Sequence, residues 1–206
     1  MNKLFFSWPQ KNRALPVICV CVGQVIWGFS YLFTRIAQSS ASPAVVLSMR
    51  FLASWVIMTA LIWSGKKSFS LKGKNFRPLL ALALLEPPYY FFESYGVYYS
   101  NATFAGTVMA FAPVVGILAA MLFLGEKPTR RQKIFSLLPT AGVIIITSVG
   151  SSMGIVKPLG AIFLFASQIV AAGMKLYNKK SSEEFSSFER TYAIVVANAI
   201  IFTIKS

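Results

Sequence analysis

The sequence predicts an all-α integral membrane protein, a bundle of several membrane-spanning helices. Of its 206 residues, 56% are hydrophobic and 13% are charged, whereas soluble domains have roughly 45–50% apolar and about 25% charged residues. Several segments of about 20 residues carry almost no charge, and this length crosses a hydrocarbon core about 30 Å thick. Their apolar runs do not alternate with polar residues as barrel strands do, so helices are expected throughout.

The chain divides into a short N-terminal segment and seven expected spans. Residues 1–13 form the segment, and the spans, good to a few residues, are 14–37, 43–64, 78–98, 102–124, 132–150, 158–177 and 191–204. A cleaved signal peptide is the alternative for the first span, because basic residues precede an apolar stretch. The span is longer than a typical signal-peptide core and contains polar residues, which favours a permanent helix.

Basic residues determine the expected orientation of these spans. The net charge is +14, and sixteen of the twenty lysines and arginines flank the spans on one side, including Lys175 and Lys179 after the sixth span. Because such residues concentrate on the cytoplasmic side, the N-terminus is predicted to be cytoplasmic. The asymmetry accounts for the charge without a nucleic-acid partner. The loop KKSFSLKGKNFR is expected to contact anionic lipid.

Few residues favour catalysis, a metal or a cofactor. The chain contains no histidine and no aspartate, so neither a Cys/His metal site nor the polar catalytic cluster of a membrane enzyme is expected. Cys19 and Cys21 point roughly 200° apart on a helix, so they cannot form a disulfide with each other. No complete nucleotide-binding motif occurs. The protein is therefore expected to be no enzyme and to bind no cofactor.

The third span contains two acids in the stretch EPPYYFFESYG. Glu86 and Glu93 are seven residues apart, so about 700° of helical turn returns them to nearly the same face, with Tyr89 and Tyr90 between them. A charge at the membrane centre costs about 2.5–3.5 kcal/mol on insertion scales, so each acid is expected to face a cavity or a partner. Low dielectric also disfavours the ionised form, which makes each acid a candidate proton carrier.

Two alternatives remain open for each acid. Glu93 either forms an ion pair with Arg50, which is expected at a similar depth, or faces a cavity where it binds substrate or a proton. Glu86 either faces a cavity or is a buried acid that is hydrogen-bonded within the bundle. No basic residue is expected at the depth of Glu86.

Prolines, an aromatic residue and a glycine are further candidates inside the spans. Pro87 and Pro88 remove two backbone donors and are expected to bend or break the third helix beside a cavity. Pro113 is expected to kink the fourth helix, and whether this kink acts as a gate stays open. Trp27 and Gly28 either line a pocket in the first span or, at the glycine, allow close packing of another helix.

The chain contains a weak internal regularity. A shift of 140 residues superposes the first span on the sixth and brings Arg35 onto Lys175 and Arg50 onto Arg190. The first span is predicted to run out of the cytoplasm and the sixth to run into it. A repeat related in this way would be inverted, an arrangement typical of secondary transporters.

Several motifs resemble one known family. VIWGFSYLFTRIA and SPAVVLSMRFLAS in the first two spans, ESYGVYYSNATFAGTVMAFAPVV in the third and fourth, and LGEKPTRRQ before the fifth resemble the EamA-like branch of the drug/metabolite transporter superfamily. The resemblance implies ten helices in two inverted five-helix repeats, with residues 14–150 as the first repeat and 151–206 as the start of the second. The second repeat is then incomplete, and a fragment or truncated gene product is expected.

The resemblance also implies a function. It suggests a secondary carrier that moves small metabolites or amphipathic drug-like solutes across a bacterial cytoplasmic membrane by alternating access, with export more common in the family. Glu93 and Glu86 would supply protonation or cation recognition, Tyr89 and Tyr90 would stack on the solute, and Arg50 would orient a carboxylate. A truncated or non-transporting membrane subunit is the alternative. Substrate, coupling ion and oligomeric state stay open.

Overall fold

Seven helices make up the part of the chain that the structure, a computed structural model, describes. The described residues are 14–125, 128–132, 134, 136–138, 141 and 157–205, with no strand among them. The helices are α1 (Ala14–Ala37), α2 (Pro43–Trp63), α3 (Arg77–Tyr99), α4 (Ala102–Met109), α5 (Ala112–Leu124), α6 (Pro158–Ser181) and α7 (Ser187–Lys205). The predicted segment 1–13 and most of the predicted span 132–150 lie outside the described residues.

The prediction of one continuous fourth span was wrong. The helix is interrupted at Ala110 and Phe111, between α4 and α5. The amide of Phe111 donates to the carbonyl of Val108 at 3.1 Å, a tightened turn. Pro113 follows in the first turn of α5, and because it has no N–H it leaves the carbonyl of Met109 without its helical donor.

Length and composition make this chain an all-α, multi-pass membrane protein. Among the described residues, four stretches are long and apolar enough to cross a membrane: Val17–Ala37, Pro43–Trp63, Pro158–Ser181 and Ser187–Ile204. The helix α3 has a sufficient length of 23 residues but is less apolar, because it carries both acids and several tyrosines. Its polar residues are enclosed by other helices, which is how an intramembrane polar side chain is tolerated.

The helix α3 forms the centre of the bundle and packs antiparallel along α6. Glycines allow the close approach: a Cβ added at Gly96 would lie 2.6 Å from Cγ of Leu164, and one added at Gly160 would lie 2.8 Å from the carbonyl carbon of Tyr99. The amide of Lys157 also donates to the carbonyl of Tyr99 at 3.1 Å. The helices α3 and α6 therefore meet almost backbone to backbone near one end of the bundle.

Replacement of Gly160 by alanine is expected to destabilise the α3–α6 contact. The new methyl group would overlap the Tyr99 backbone, which cannot move aside as a flexible side chain can, and overpacking costs about 1–3 kcal/mol. The midpoint of thermal unfolding in detergent should fall. Gly23→Ala is the matched control because nothing lies within 4 Å of its added Cβ. Equal midpoints for the two variants would contradict this close packing.

The helix α7 packs between α2 and α3. One cluster of buried side chains joins α2 and α7 through Leu47, Phe51, Val195, Ala199 and Phe202. At the start of α7, Glu189 accepts hydrogen bonds from the amide of Ser186 at 2.8 Å and from Nζ of Lys74 at 2.6 Å. This contact fixes the basic loop between α2 and α3 to α7, and it is the only ion pair within the described part of the chain.

Candidate functional site

The carboxyl group of Glu93 is held by two tyrosine hydroxyls. Tyr31 of α1 donates to Oε1 at 2.8 Å, and Tyr89, one turn earlier on α3, donates to the same oxygen at 2.7 Å. The Glu93 side chain is only 6% exposed. A buried acid needs such donors because an unpaired polar group in an apolar interior loses its hydration without compensation. Tyr31 was not among the residues singled out from the sequence.

The ion pair proposed between Glu93 and Arg50 is not formed in this structure. The Arg50 guanidinium lies over the ring of Tyr90, 5.4 Å from its centroid, and over that of Phe51, at 5.8 Å. Arg50 and Glu93 nevertheless line the same cavity of about 20 Å³. This space is about large enough for one water molecule and too small for an organic solute.

Polar contacts close the bundle at the end of α3 next to this cavity. Arg35 donates to the carbonyl of Tyr98 at 2.8 Å, where the last turn of α3 leaves carbonyls without helical partners. The side-chain amide of Gln38 donates to the carbonyl oxygen of Ser94 at 3.0 Å and to its hydroxyl at 2.9 Å. These bonds connect the end of α1 to the end of α3.

Glu86 faces a larger cavity on the other side of the two tyrosines. The cavity measures about 270 Å³ and is lined by Trp27, Leu82, Glu86, Tyr89, Tyr90, Ala171, Met174, Lys175 and Asn178. Glu86 is 7% exposed. No side-chain hydrogen bond to Glu86 occurs among the described residues, so the arrangement is that of the cavity-facing alternative. All four members of the predicted face, Glu86, Tyr89, Tyr90 and Glu93, are brought together between the two cavities.

Lys175 is a charged residue of this cavity that the sequence analysis missed. It lies six residues before the end of α6, and Glu86 lies nine residues after the start of α3, so both are about 9–14 Å from the same end of the bundle. The expectation that no basic residue shares the depth of Glu86 was wrong. The Nζ of Lys175 donates to the carbonyl of Ala112 at 3.2 Å, close to the interruption between α4 and α5.

The two adjacent prolines do not break α3. The helix continues from Arg77 to Tyr99 through Pro87 and Pro88. Neither proline has an N–H, so the carbonyls of Ala83 and Leu84 lose their helical donors beside the Glu86 cavity. Polar backbone of this kind is tolerated at membrane depth where it lies inside protein or lines a cavity.

Trp27 and Gly28 line a groove between α1 and α4. This groove measures about 410 Å³, and Trp27 also contributes to the Glu86 cavity. The Trp27 ring lies 5.9 Å from that of Tyr31. No described atom outside its own helix lies within 4 Å of a Cβ added at Gly28. The structure therefore shows a pocket-lining glycine, and the close-packing alternative is not seen among the described residues.

Metal chemistry has no evident place in the described part of the chain. The described residues include no cluster of three or more histidine, cysteine, aspartate or glutamate side chains that could hold a metal ion. Cys19 and Cys21 are both free thiols on the exposed side of α1. The polar chemistry of the described cavities is that of carboxyl, hydroxyl, guanidinium and ammonium groups.

Comparisons with known proteins identify relatives that are named as transporters. The chain is 31% identical over 195 residues to "Uncharacterized transporter YcxC" of Bacillus subtilis, a match that covers 93% of this chain and 62% of the relative. It is 21% identical over 184 residues to an "Uncharacterized transporter" of Archaeoglobus fulgidus, covering 89% and 64%. It is 29% identical over 108 residues to "Protein PagO" of Salmonella typhimurium, covering 52% and 35%.

The chain thus spans less than two thirds of the length of each of these relatives. No solved structure matches it. The sequence model of the EamA-like transporter family matches residues 14–148, which is more than half of the chain, and the chain therefore belongs to that family of membrane transporters.

Proposed function

We propose that the chain is all or part of a secondary active carrier that exports small metabolites or amphipathic drug-like solutes by alternating access. Its membrane is the bacterial cytoplasmic membrane, its N-terminus is cytoplasmic, and protons drive the movement. Family membership and the names of the relatives support a transporter. The inverted five-helix repeat, of which residues 14–150 would be the first copy, is part of this proposal.

The single observation that carries the proposal is the pair of buried acids facing two cavities of different size. Glu93 faces space for about one water molecule, which suits a proton. Glu86 faces a cavity of about 270 Å³, large enough for part of a small solute. Tyr89 contacts both sites, because its hydroxyl binds Glu93 and its ring lines the Glu86 cavity. A change at one acid can therefore reach the other through Tyr89.

The orientation of the bundle fits an inward-facing state of such a carrier. With the N-terminus in the cytoplasm, Tyr99 lies at the outer end of α3, and the bonds from Arg35 and Gln38 close that end. Glu86 and Lys175 lie nearer the cytoplasmic end. In this arrangement a solute would enter from the cytoplasm and reach Glu86 before the outer closure opens.

Interrupted helices supply places where the bundle can change shape. The pair Pro87–Pro88 lies directly after Glu86, and the interruption before Pro113 follows the α4 residues that line the Trp27 groove. Helix interruptions near a binding site are typical of secondary carriers. We propose that α5 moves at Pro113 when the outer closure opens.

Transport by purified protein in liposomes tests the proposed function. The lumen is made acidic, and two radiolabelled probes are added outside: tetraphenylphosphonium, a lipophilic cation, and L-leucine, a zwitterion. A proton-driven exporter should accumulate at least one of them, and nigericin, which collapses the pH gradient, should abolish the accumulation. Accumulation no greater than in protein-free liposomes would instead favour a non-transporting membrane subunit.

A further inference from the structure

The Glu86 cavity contains one acid and one base from two different helices. The antiparallel register of α3 and α6 places them near each other, since Gly160 lies against Tyr99, Gly96 against Leu164 and Gly173 against Leu85. Leu85 precedes Glu86 directly, and Gly173 lies two residues before Lys175. Both charged side chains line the same cavity.

Neither charge is neutralised by a direct ion pair within the described part of the chain. Glu86 is 93% buried, by its exposed fraction of 7%, and its carboxyl group faces the cavity without a hydrogen-bond donor among the described side chains. Lys175 has one neutral acceptor, the carbonyl of Ala112 at 3.2 Å. An ammonium group carries three donors, so further capacity remains for an anionic ligand. Charged groups inside a membrane typically mark a substrate path when they are not paired with each other.

We propose that Glu86 and Lys175 form a two-point binding site for a small zwitterion with an apolar body. The ammonium group of the ligand binds the Glu86 carboxylate, and the carboxylate of the ligand binds the Lys175 ammonium group. The apolar body lies against the aromatic wall of Trp27, Tyr89 and Tyr90. This inference names the substrate class of the proposed carrier and so rests on that function.

The charge balance of the cavity favours a zwitterion over a simple cation or anion. A cation alone would neutralise Glu86 and add to the positive charge of Lys175, and an anion alone would do the reverse. A ligand with both charges pairs each group at once, and charge-assisted hydrogen bonds of this kind are the stronger ones. Arg190 donates to the Asn178 side chain at the rim of the cavity, so a second positive charge lies on the Lys175 side.

Equilibrium binding to the purified protein in nanodiscs tests the proposed site without requiring transport. Three probes share one apolar body: L-leucine has both charges, 3-methylbutylamine has only the positive charge, and 4-methylpentanoate has only the negative charge. L-leucine is expected to bind about tenfold or more tightly than either of the others, because each loses one charge-assisted hydrogen bond. Absent L-leucine binding, or equal affinity for all three, would overturn the proposal.

Substitutions assign the two charges to the two residues. Lys175→Gln should weaken L-leucine binding about tenfold and leave 3-methylbutylamine binding unchanged or tighter, whereas Glu86→Gln should do so for 4-methylpentanoate. Lys175→Arg keeps the charge and should retain most of the affinity. Lys66→Gln, in the exposed loop after α2, is the matched control and should change nothing. Unchanged L-leucine affinity in Lys175→Gln would overturn the proposal.

The binding and transport results separate this inference from the proposed function. L-leucine binding that depends on Lys175, with no accumulation in liposomes, would support the site and contradict the carrier. Proton-driven accumulation of tetraphenylphosphonium without L-leucine binding would support the carrier and overturn the zwitterion site.

Discussion

Replacement of Glu93 by glutamine is expected to abolish probe accumulation driven by a pH gradient. Glutamine is close to glutamate in size and can still accept hydrogen bonds from Tyr31 and Tyr89, which both donate to Oε1 in the parent protein. It cannot bind or release a proton. Exchange of labelled for unlabelled probe at equal concentrations needs no coupling, so it should persist. Both quantities are measured in liposomes with the two probes described above.

The matched control for this experiment is Glu183→Gln. Glu183 lies in the exposed turn between α6 and α7, so the same chemical change should leave accumulation intact. Accumulation by Glu93→Gln at the level of the parent protein would remove Glu93 from the coupling mechanism. Loss of both accumulation and exchange would indicate instead that Glu93 is needed for the architecture of the site.

Removal of both tyrosine hydroxyls that hold Glu93 should reduce transport more than removal of either one. Tyr31→Phe or Tyr89→Phe leaves one donor to a carboxyl group that is 6% exposed. The double variant leaves none, and a buried polar group without a partner costs about 1–3 kcal/mol. We expect each single variant to retain partial accumulation and the double variant to lose most of it. Its thermal midpoint in detergent should also fall.

A third tyrosine on the same helix provides the control for these variants. Tyr98 is 40% exposed, and no hydrogen bond from its hydroxyl group is seen among the described residues. Tyr98→Phe should therefore leave accumulation and the thermal midpoint unchanged. A double variant with the transport rate and midpoint of the parent would show that the two hydroxyls do not govern Glu93.

The fold and the acidic face could be predicted from the sequence because they depend on local patterns. Apolar runs of the right length predicted the positions of the membrane helices, and a separation of seven residues was enough to align Glu86 with Glu93. The interruption at Ala110 was not predicted, since a proline pattern identifies a weakened helix but not the turn geometry that results. The same limit explains why α3 continues through Pro87 and Pro88.

The partners of the two acids depended on tertiary geometry that the sequence did not contain. Depth along the membrane normal made Arg50 a plausible partner for Glu93, but the rotation of α2 directs its guanidinium to the ring of Tyr90. Lys175 was assigned to a cytoplasmic loop because its helix was predicted to end at residue 177, whereas α6 continues to Ser181. The overlay of Arg35 on Lys175 was the one sequence signal that marked this position.

The central claim is that Glu93 exchanges a proton when the carrier binds its solute. Proton release from purified protein in weakly buffered nanodiscs, followed with a pH indicator after addition of whichever probe the carrier accumulates, tests it most directly. The account predicts release by the parent protein and by Glu183→Gln, and no release by Glu93→Gln at a probe concentration that saturates binding. Equal release by the parent and Glu93→Gln, or no release by the parent at saturation, would contradict it.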